Sequence, residues 1–268
     1  MLITIREVSI DLERKPGWKK ESVSIVMPAY NVGRKILYAI SNLEREIKNV
    51  TDDYEIIVVD DGSNDNTYDL IMDLRNPRVK IIRNMKNMGK GYSVKRGVLA
   101  STGQYVLMAD ADMEISYKDI EKYIRILKYF DIIIGSKRHP DSIYIAPISR
   151  KILSLCFNMI VRLLTGIKVS DTQTGFKAFR GDAIRKIMNL VLVKRYAFDV
   201  EILAVANLLG MKIYEMPVKI ELGRGFAFKS ILYMLIDLLG IVYRLRIIKW
   251  YQRNLENQSP NYKPILNM

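Results

Sequence analysis

A chain of 268 residues with 49% hydrophobic and 26% charged residues is long enough for one large domain or two small ones, and too apolar to stay disordered. Its single cysteine, Cys156, excludes an internal disulfide and the paired-cysteine zinc sites, and points to a reducing compartment. The net charge of +13 calls for an anionic partner, whether nucleic acid, a membrane surface or a phosphorylated substrate, without choosing among them.

At the N-terminus Arg6 and Glu7 interrupt the apolar stretch that a secretory signal needs, so the protein is expected to stay in the cytoplasm. Short β-branched runs then alternate with helical periodicity. Strands are predicted at Val23–Met27, Glu55–Val59, Val79–Ile82, Tyr105–Ala109 and Ile132–Gly135, and helices near 34–49, 66–75, 91–101 and 117–130. That alternation is the pattern of βαβ units, an α/β fold with a mostly parallel sheet flanked by helices. In such sheets ligands bind beyond the carboxyl ends of the strands. The residues there are P-A-Y-N, D-D-G-S-N-D-N-T, R-N-M-K-N-M-G-K-G, D-A-D-M-E and S-K-R-H-P, nearly all polar, glycine or acidic.

From about residue 140 long apolar helices with basic flanks take over, interrupted by D-T-Q-T-G-F-K-A-F-R at 171–180 and a strand-like I-Y-E-M-P-V-K-I-E at 213–221. The expected organisation is an N-terminal extension at 1–21, one domain at 22–228 that includes a helix at 149–166, an amphipathic helix at 229–253, and a tail at 254–268.

Asp110 and Asp112 sit at i and i+2 at a strand end and project to the same side, where two carboxylates repel unless a cation lies between them. Mg²⁺ or Mn²⁺ is the natural occupant, with Glu114 able to add a third oxygen. Asp60 and Asp61 end another buried run, and Asn64 or Asp65 can cap the helix that follows. Capping leaves the two adjacent carboxylates without a partner, which favours a ligand for them. G-K-G at 89–91 opens a helix and offers backbone N–H groups to an anion. Neither a Walker motif nor a G-x-G-x-x-G after a strand is present, which disfavours a P-loop NTPase and a dinucleotide dehydrogenase.

Taken in order, P-A-Y-N at 28–31, V-V-D-D-G-S-N-D-N-T at 58–67, N-M-G-K-G at 87–91, D-A-D at 110–112, G-S-K-R-H-P at 135–140 and D-T-Q-T-G-F-K at 171–177 resemble the family 2 glycosyltransferases of the GT-A fold, nearest the dolichyl-phosphate glucose and mannose synthases. The resemblance covers about residues 22–250. It implies nucleotide contacts from Pro28, Tyr30, Asp60, Asp61, Lys90 and Asp110, and a divalent metal on Asp110, Asp112 and Glu114. It places Lys137, Arg150, Arg224 and Lys229 on phosphate, and Asp112, Asp171, Gln173 and Arg138 among the catalytic positions. One departure is Val32, where relatives commonly carry Glu after P-x-Y-N.

The implied reaction is an inverting transfer of a hexose from a nucleotide diphosphate sugar. The diphosphate gains negative charge as the anomeric bond breaks, and a metal with lysines and arginines would stabilise it. A hydroxyl acceptor would need a general base, whereas a polyprenyl (dolichyl) phosphate arrives already ionised. The single histidine, His139, is read as structural. D-T-Q-T-G-F-K leans toward UDP-glucose, with GDP-mannose and UDP-N-acetylglucosamine open.

Two helices suggest a membrane surface. Arg150, Ser154, Asn158 and Arg162 recur at i+4 and leave a wide apolar arc that includes Cys156, expected there only to pack. The second, at 231–243, is too short and carries an aspartate too many for a span of about 20 apolar residues. It is expected to lie in the interface through Ile231, Leu235, Leu238 and Ile241, with Arg244, Arg246, Lys249, Trp250 and Arg253 at headgroup level. The resulting expectation is a peripheral enzyme on the cytoplasmic membrane face, with a membrane-anchoring partner or a homo-oligomer left open. A glycosyltransferase with a hydroxyl acceptor is the alternative. A nucleic-acid-binding protein is disfavoured, because the strand-end carboxylates would face a polyanion.

Overall fold

The computed structural model describes residues 21–111, 116–221 and 228–258. The five predicted strands form as β1 (Val23–Ala29), β2 (Tyr54–Asp60), β3 (Val79–Arg83), β4 (Tyr105–Met108) and β5 (Ile132–Ser136). Between them lie α1 (Lys35–Ile47), α2 (Thr67–Asp73), α3 (Lys90–Ala100) and α4 (Ile120–Ile126). The remainder comprises β6 (Ile143–Ile145), α5 (Ile148–Thr165), β7 (Lys177–Arg180), α6 (Gly181–Met188), α7 (Phe198–Leu208), β8 (Ile213–Pro217), β9 (Lys219–Glu221), α8 (Phe228–Val242) and α9 (Trp250–Gln258).

Seven strands make one sheet in the order β3-β2-β1-β4-β7-β5-β8. Strand alternation divides its side chains between two apolar layers. Ile25, Met27, Ile56, Val58 and Leu107 pack with α1, α2 and α4, while Val26, Val106, Met108, Ile132 and Ile134 pack with α3 and α5 through α9. Covered on both faces, β2 is buried at every position.

Within this sheet β7 alone runs antiparallel, to both β4 and β5. Its first residue, Lys177, lies level with Met108 and Ile134. The turn at 171–176 therefore reaches the edge where the parallel strands end. The stretch read as one strand at 213–221 divides: β8 joins the main sheet beside β5, and β9 pairs with β6 in a separate two-stranded sheet.

The C-terminal helix departs from expectation. Instead of one helix over 229–253, α8 ends at Val242 and passes through a π-helical turn at Tyr243–Ile247; α9 starts anew after Lys249. Lys249 has φ +49°, a left-handed conformation that an α-helix cannot continue through. The break folds α9 back so that Tyr251 reaches Glu201. That carboxylate, fully buried on α7, accepts from the Tyr251 hydroxyl, from Arg244 Nη2 at 3.1 Å, and from the Leu192 and Val193 N–H groups at 2.9 and 2.7 Å.

The faces of α8 are also the reverse of those expected. Leu238 (1% exposed) and Ile241 (0%) belong to the core, and Ile231 and Leu235 are half-buried. Leu232, Ile236 and Leu239 are exposed on α8, and Tyr243 and Ile247 on the turn that follows. Counting apolar residues cannot choose between two apolar faces of one helix, and packing into the layer that also holds α5 and α7 decides it.

Glu201→Ala is expected to destabilise the protein by about 3–5 kcal/mol, because Arg244 would be left without its buried counter-charge. Urea unfolding would read the loss, and limited proteolysis should locate the first opening at 228–258.

Candidate active site

Two loops at the ends of β1 and β2 are stitched together. The Asn31 N–H donates to Ser63 Oγ (3.0 Å), and the Asn64 N–H to Asn31 Oδ1 (2.9 Å). Thr67 Oγ1 accepts from the Val32 and Gly33 N–H groups. Asp65, rather than Asn64, serves the start of α2, accepting from the Thr67 N–H at 3.0 Å and the Thr67 hydroxyl at 2.5 Å. Pro28 closes on β2 opposite Val59, and the Tyr30 ring is 43% exposed beside this junction.

The adjacent aspartates play different parts. Asp61 spends both oxygens on the following loop: Oδ1 accepts from Asn84 Nδ2 (2.6 Å) and the Met88 N–H (2.9 Å), and Oδ2 from the Gly89 N–H (2.8 Å). Asp60 Oδ1 accepts from the Ser63 N–H, whereas its fully buried Oδ2 lies 3.2 Å from Arg83 Nε without a hydrogen bond. Of the pair, Asp60 keeps the capacity to accept from a ligand.

Asp110 follows β4. Its Oδ1 is 2.6 Å from Lys90 Nζ, and its backbone oxygen accepts from the Tyr117 hydroxyl at 2.7 Å. A Cβ on Gly175 would stand 1.8 Å from Asp110 Oδ2, so any side chain there would push this carboxylate from its present place. Gly89, at φ +99°, makes a similar approach to the Lys194 carbonyl and sets Lys90 at the start of α3. An ammonium thus occupies the cation position at a strand-end carboxylate, and oxygen donors of this kind suit Mg²⁺ or Mn²⁺. Asp112 and Glu114 lie outside the described residues, and among the described residues there is no cluster of three metal-ligating side chains.

Two strands away, past the end of β5, Lys137 meets Asp171. Asp171 Oδ2 is 3.1 Å from Lys137 Nζ and accepts from the Lys137 N–H (2.9 Å) and the Thr174 hydroxyl (2.7 Å); Oδ1 accepts from the Gln173 N–H (3.1 Å). Burial alone would raise this carboxyl's pKa. The Lys137 ammonium and the hydrogen bonds outweigh it and hold the value at about 2. Gln173 is half-buried on the same turn. Arg138 spends its guanidinium on the Ser170 carbonyl and on the Ser154 carbonyl at 3.0 Å, tying α5 to the turn. Arg150 opens α5. Arg224 lies outside the described residues, as does the side chain of Lys229 at the start of α8. His139 accepts from the Asp141 N–H at 3.2 Å, a local turn contact.

Sequence reading gave no role to several residues that hold this turn. Glu215 on β8 accepts from the Ser170 hydroxyl (2.7 Å) and the Asp171 N–H (3.3 Å). Lys177, buried, donates to the Thr174 carbonyl and pairs with Asp199 at 2.6 Å. A glutamate inside the apolar I-Y-E-M-P run was the available signal for the first; the second needs the antiparallel course of β7.

Above the turn, α5 turns the middle of its polar stripe inward, while Arg162 at its end is exposed. Asn158 is buried and donates to the Ser170 carbonyl at 2.7 Å. The apolar arc faces out, with Ile148, Ile152, Leu155, Met159 and Leu163 (79%) exposed. Cys156, expected to pack, is exposed with them. No helix among the described residues is long and apolar enough to cross a membrane.

Carboxylates and cations thus gather at the carboxyl ends of a mostly parallel sheet, the edge at which such sheets bind ligands. The family model for glycosyl transferase family 2 matches residues 24–188, and the chain belongs to that family. It is 34% identical over 248 residues to a protein named dolichyl-phosphate beta-glucosyltransferase from Dictyostelium discoideum, covering 85% of this chain and 76% of the relative. Identity to the human protein of that name is also 34%, covering 86% and 78%. Among solved structures, glucosyl-3-phosphoglycerate synthase from Mycobacterium tuberculosis in complex with UDP aligns at a TM-score of 0.65 with 16% identity, over 86% of this chain and 85% of that one. The same enzyme with Mn²⁺, UDP-glucose and phosphoglyceric acid aligns at 0.63 with 15% identity, over 86% and 84%.

The depressed Asp171 pKa fixes a pH dependence. A carboxyl held below its unfolded value of about 3.9 stabilises the fold above that pH, and the contribution is lost as pH falls toward 2. Asp171→Asn should cost about 2–3 kcal/mol at pH 6, with the gap to the parent narrowing between pH 4 and 2.5 in denaturant titrations.

Proposed function

We propose that this glycosyltransferase moves glucose from UDP-glucose to dolichyl or a related polyprenyl phosphate, working as a peripheral enzyme on the cytoplasmic face of a membrane. The observation that carries the reading is the orientation of α5: Asn158, and Ser154 through Arg138, tie it to the turn beside Lys137 and Asp171, while Ile148, Ile152, Leu155, Met159 and Leu163 leave an exposed apolar face. A lipid acceptor requires that combination, with a polar floor for the headgroup next to a surface that tolerates acyl chains. The relatives' names supply the glucose and the lipid phosphate.

On the donor side, Asp60 Oδ2 and the exposed Tyr30 ring are the groups left to receive a nucleoside, with Pro28 shaping the floor and Asp61 setting the 84–89 loop. Mg²⁺ or Mn²⁺ held by Asp110, Asp112 and Glu114 would supply positive charge to the diphosphate. Lys90 adds an ammonium beside it, and Lys137, Arg150, Arg224 and Lys229 are the cations we assign to the phosphates. The acceptor's phosphate oxygen attacks the anomeric carbon as the bond to UDP breaks, with inversion. No proton need leave the acceptor, because its second pKa is about 6. That agrees with the state of Asp171, whose oxygens are engaged by Lys137, Thr174 and Gln173. We assign Asp171 and Arg138 to holding the turn, with Gln173 presented toward the sugar and Asp112 toward the metal.

With Mg²⁺ or Mn²⁺, a panel of nucleotide sugars offered against citronellyl phosphate and citronellol should give one product by mass, the glucosyl phosphate lipid from UDP-glucose. Transfer to the alcohol alone would establish the hydroxyl-acceptor alternative, and full activity in excess chelator would remove the metal. Serine in place of Ile152, Leu155, Leu163, Leu232, Ile236 and Leu239 should lower flotation with anionic vesicles at least about tenfold, since full burial of one such side chain is worth roughly 1.5–3 kcal/mol. UDP binding should be unchanged in that variant. Undiminished flotation would end the membrane assignment.

A further inference from the structure

Beside the Lys137–Asp171 pair lies a hydroxyl that no protein group satisfies. Tyr144 is the central residue of β6, whose alternation exposes Ile143 and Ile145 and turns Tyr144 inward. Its ring packs against the apolar layer, with Lys151 Nζ 5.4 Å and Lys137 Nζ 6.0 Å from the ring centre. Its Oη is buried and has no hydrogen-bond partner. Burying a hydroxyl without a partner is unfavourable, and phenylalanine would make the same ring contacts without that cost.

The surroundings identify what is missing. Arg150, Asp171 and Arg138 all act electrostatically on the Tyr144 hydroxyl. Burial raises its pKa, so it stays protonated and available as a donor. An O–H donor set among cations calls for an anionic acceptor. The place also separates this spot from the donor diphosphate. Asp110 follows β4, Lys137 follows β5, and β7 lies between them, so the two are about 10 Å apart at ordinary strand spacing. Tyr144 stands four residues before α5, on the side of the site nearest the exposed apolar face.

We propose that Tyr144 Oη donates a hydrogen bond to the phosphate monoester of the acceptor, as the neutral member of a pocket completed by Lys137 and Arg150. The inference rests on the reading of the chain as a polyprenyl-phosphate glucosyltransferase and adds a binding residue to it. The ligand chemistry is a monoester phosphate dianion, which a lipid headgroup and inorganic phosphate share.

Tyr144→Phe tests it, because the ring, its packing and the nearby ammonium groups are kept. The variant should melt at the parental temperature or slightly above. Its KM for citronellyl phosphate should rise about tenfold or more, the size expected for a hydrogen bond to a charged group, while KM for UDP-glucose stays the same. Equilibrium titration with citronellyl phosphate, and separately with inorganic phosphate, should show the same loss without turnover. An unchanged affinity for citronellyl phosphate would overturn the proposal, whether or not that for inorganic phosphate falls, and so would a shift confined to UDP-glucose. If the parent protein binds citronellyl phosphate but transfers no glucose to it, the proposed function fails while the binding comparison still decides Tyr144. If the parent binds neither phosphate, both fall together.

Discussion

Carboxylates crowded at one edge of a sheet cannot stand unless each is answered by positive charge or by N–H groups, and the site is organised around that constraint. Asp60 faces Arg83, Asp61 takes the N–H groups of Met88 and Gly89, Asp110 faces Lys90, and Asp171 faces Lys137. Three of these answers come from the β3–α3 connection and the fourth from the segment after β5. Neutralising the carboxylates therefore also fixes the loops, and in the proposed reading the same cations would meet the anionic donor. Buried pairs of this kind add little net stability over an apolar core, but removing one partner is costly. That asymmetry suits a site whose arrangement matters more than its contribution to folding.

The same economy governs the region above the site. In an ordinary surface helix the polar stripe faces water, yet in α5 Asn158 is bonded to the Ser170 carbonyl and the Ser154 carbonyl is tied to the same turn through Arg138, with Arg162 alone of the stripe exposed. The apolar arc is left outside. In the C-terminal region Glu201 has a comparable role, joining the loop at 192–193 to Arg244 and Tyr251 and so holding α8, the π-helical turn and α9 in one arrangement. That loop also meets the G-K-G turn, where the Tyr92 N–H donates to the Lys194 carbonyl at 3.1 Å. The exposed apolar helices and the G-K-G turn are consequently parts of one packed body.

The five parallel strands, the helices between them and the polar loops at the strand ends were legible in the sequence, because β-branched runs and amphipathic periodicity are local signals. The place of Asp60, Asp61 and Asp110 was legible for the same reason: each ends an apolar run, and in an open parallel sheet the strand ends form the edge where ligands bind. The i+4 polar stripe of α5 was legible too, though not the direction in which it faces.

What only the tertiary structure decided is everything that depends on which strand lies beside which. The insertion of β7 between β4 and β5, running the opposite way, brings residues that precede a strand to the edge where other strands end, and so sets Gly175 against Asp110 and Asp171 against Lys137. Glu215, Lys177 with Asp199, and Tyr144 gain their roles from that packing alone. The break at Lys249 and the inward turn of Leu238 and Ile241 likewise follow from packing into the layer that also holds α5 and α7, which no window of the sequence contains. Local periodicity fixes which residues can share a face; long-range packing, which acts between residues 34 to 84 positions apart here, decides what that face meets.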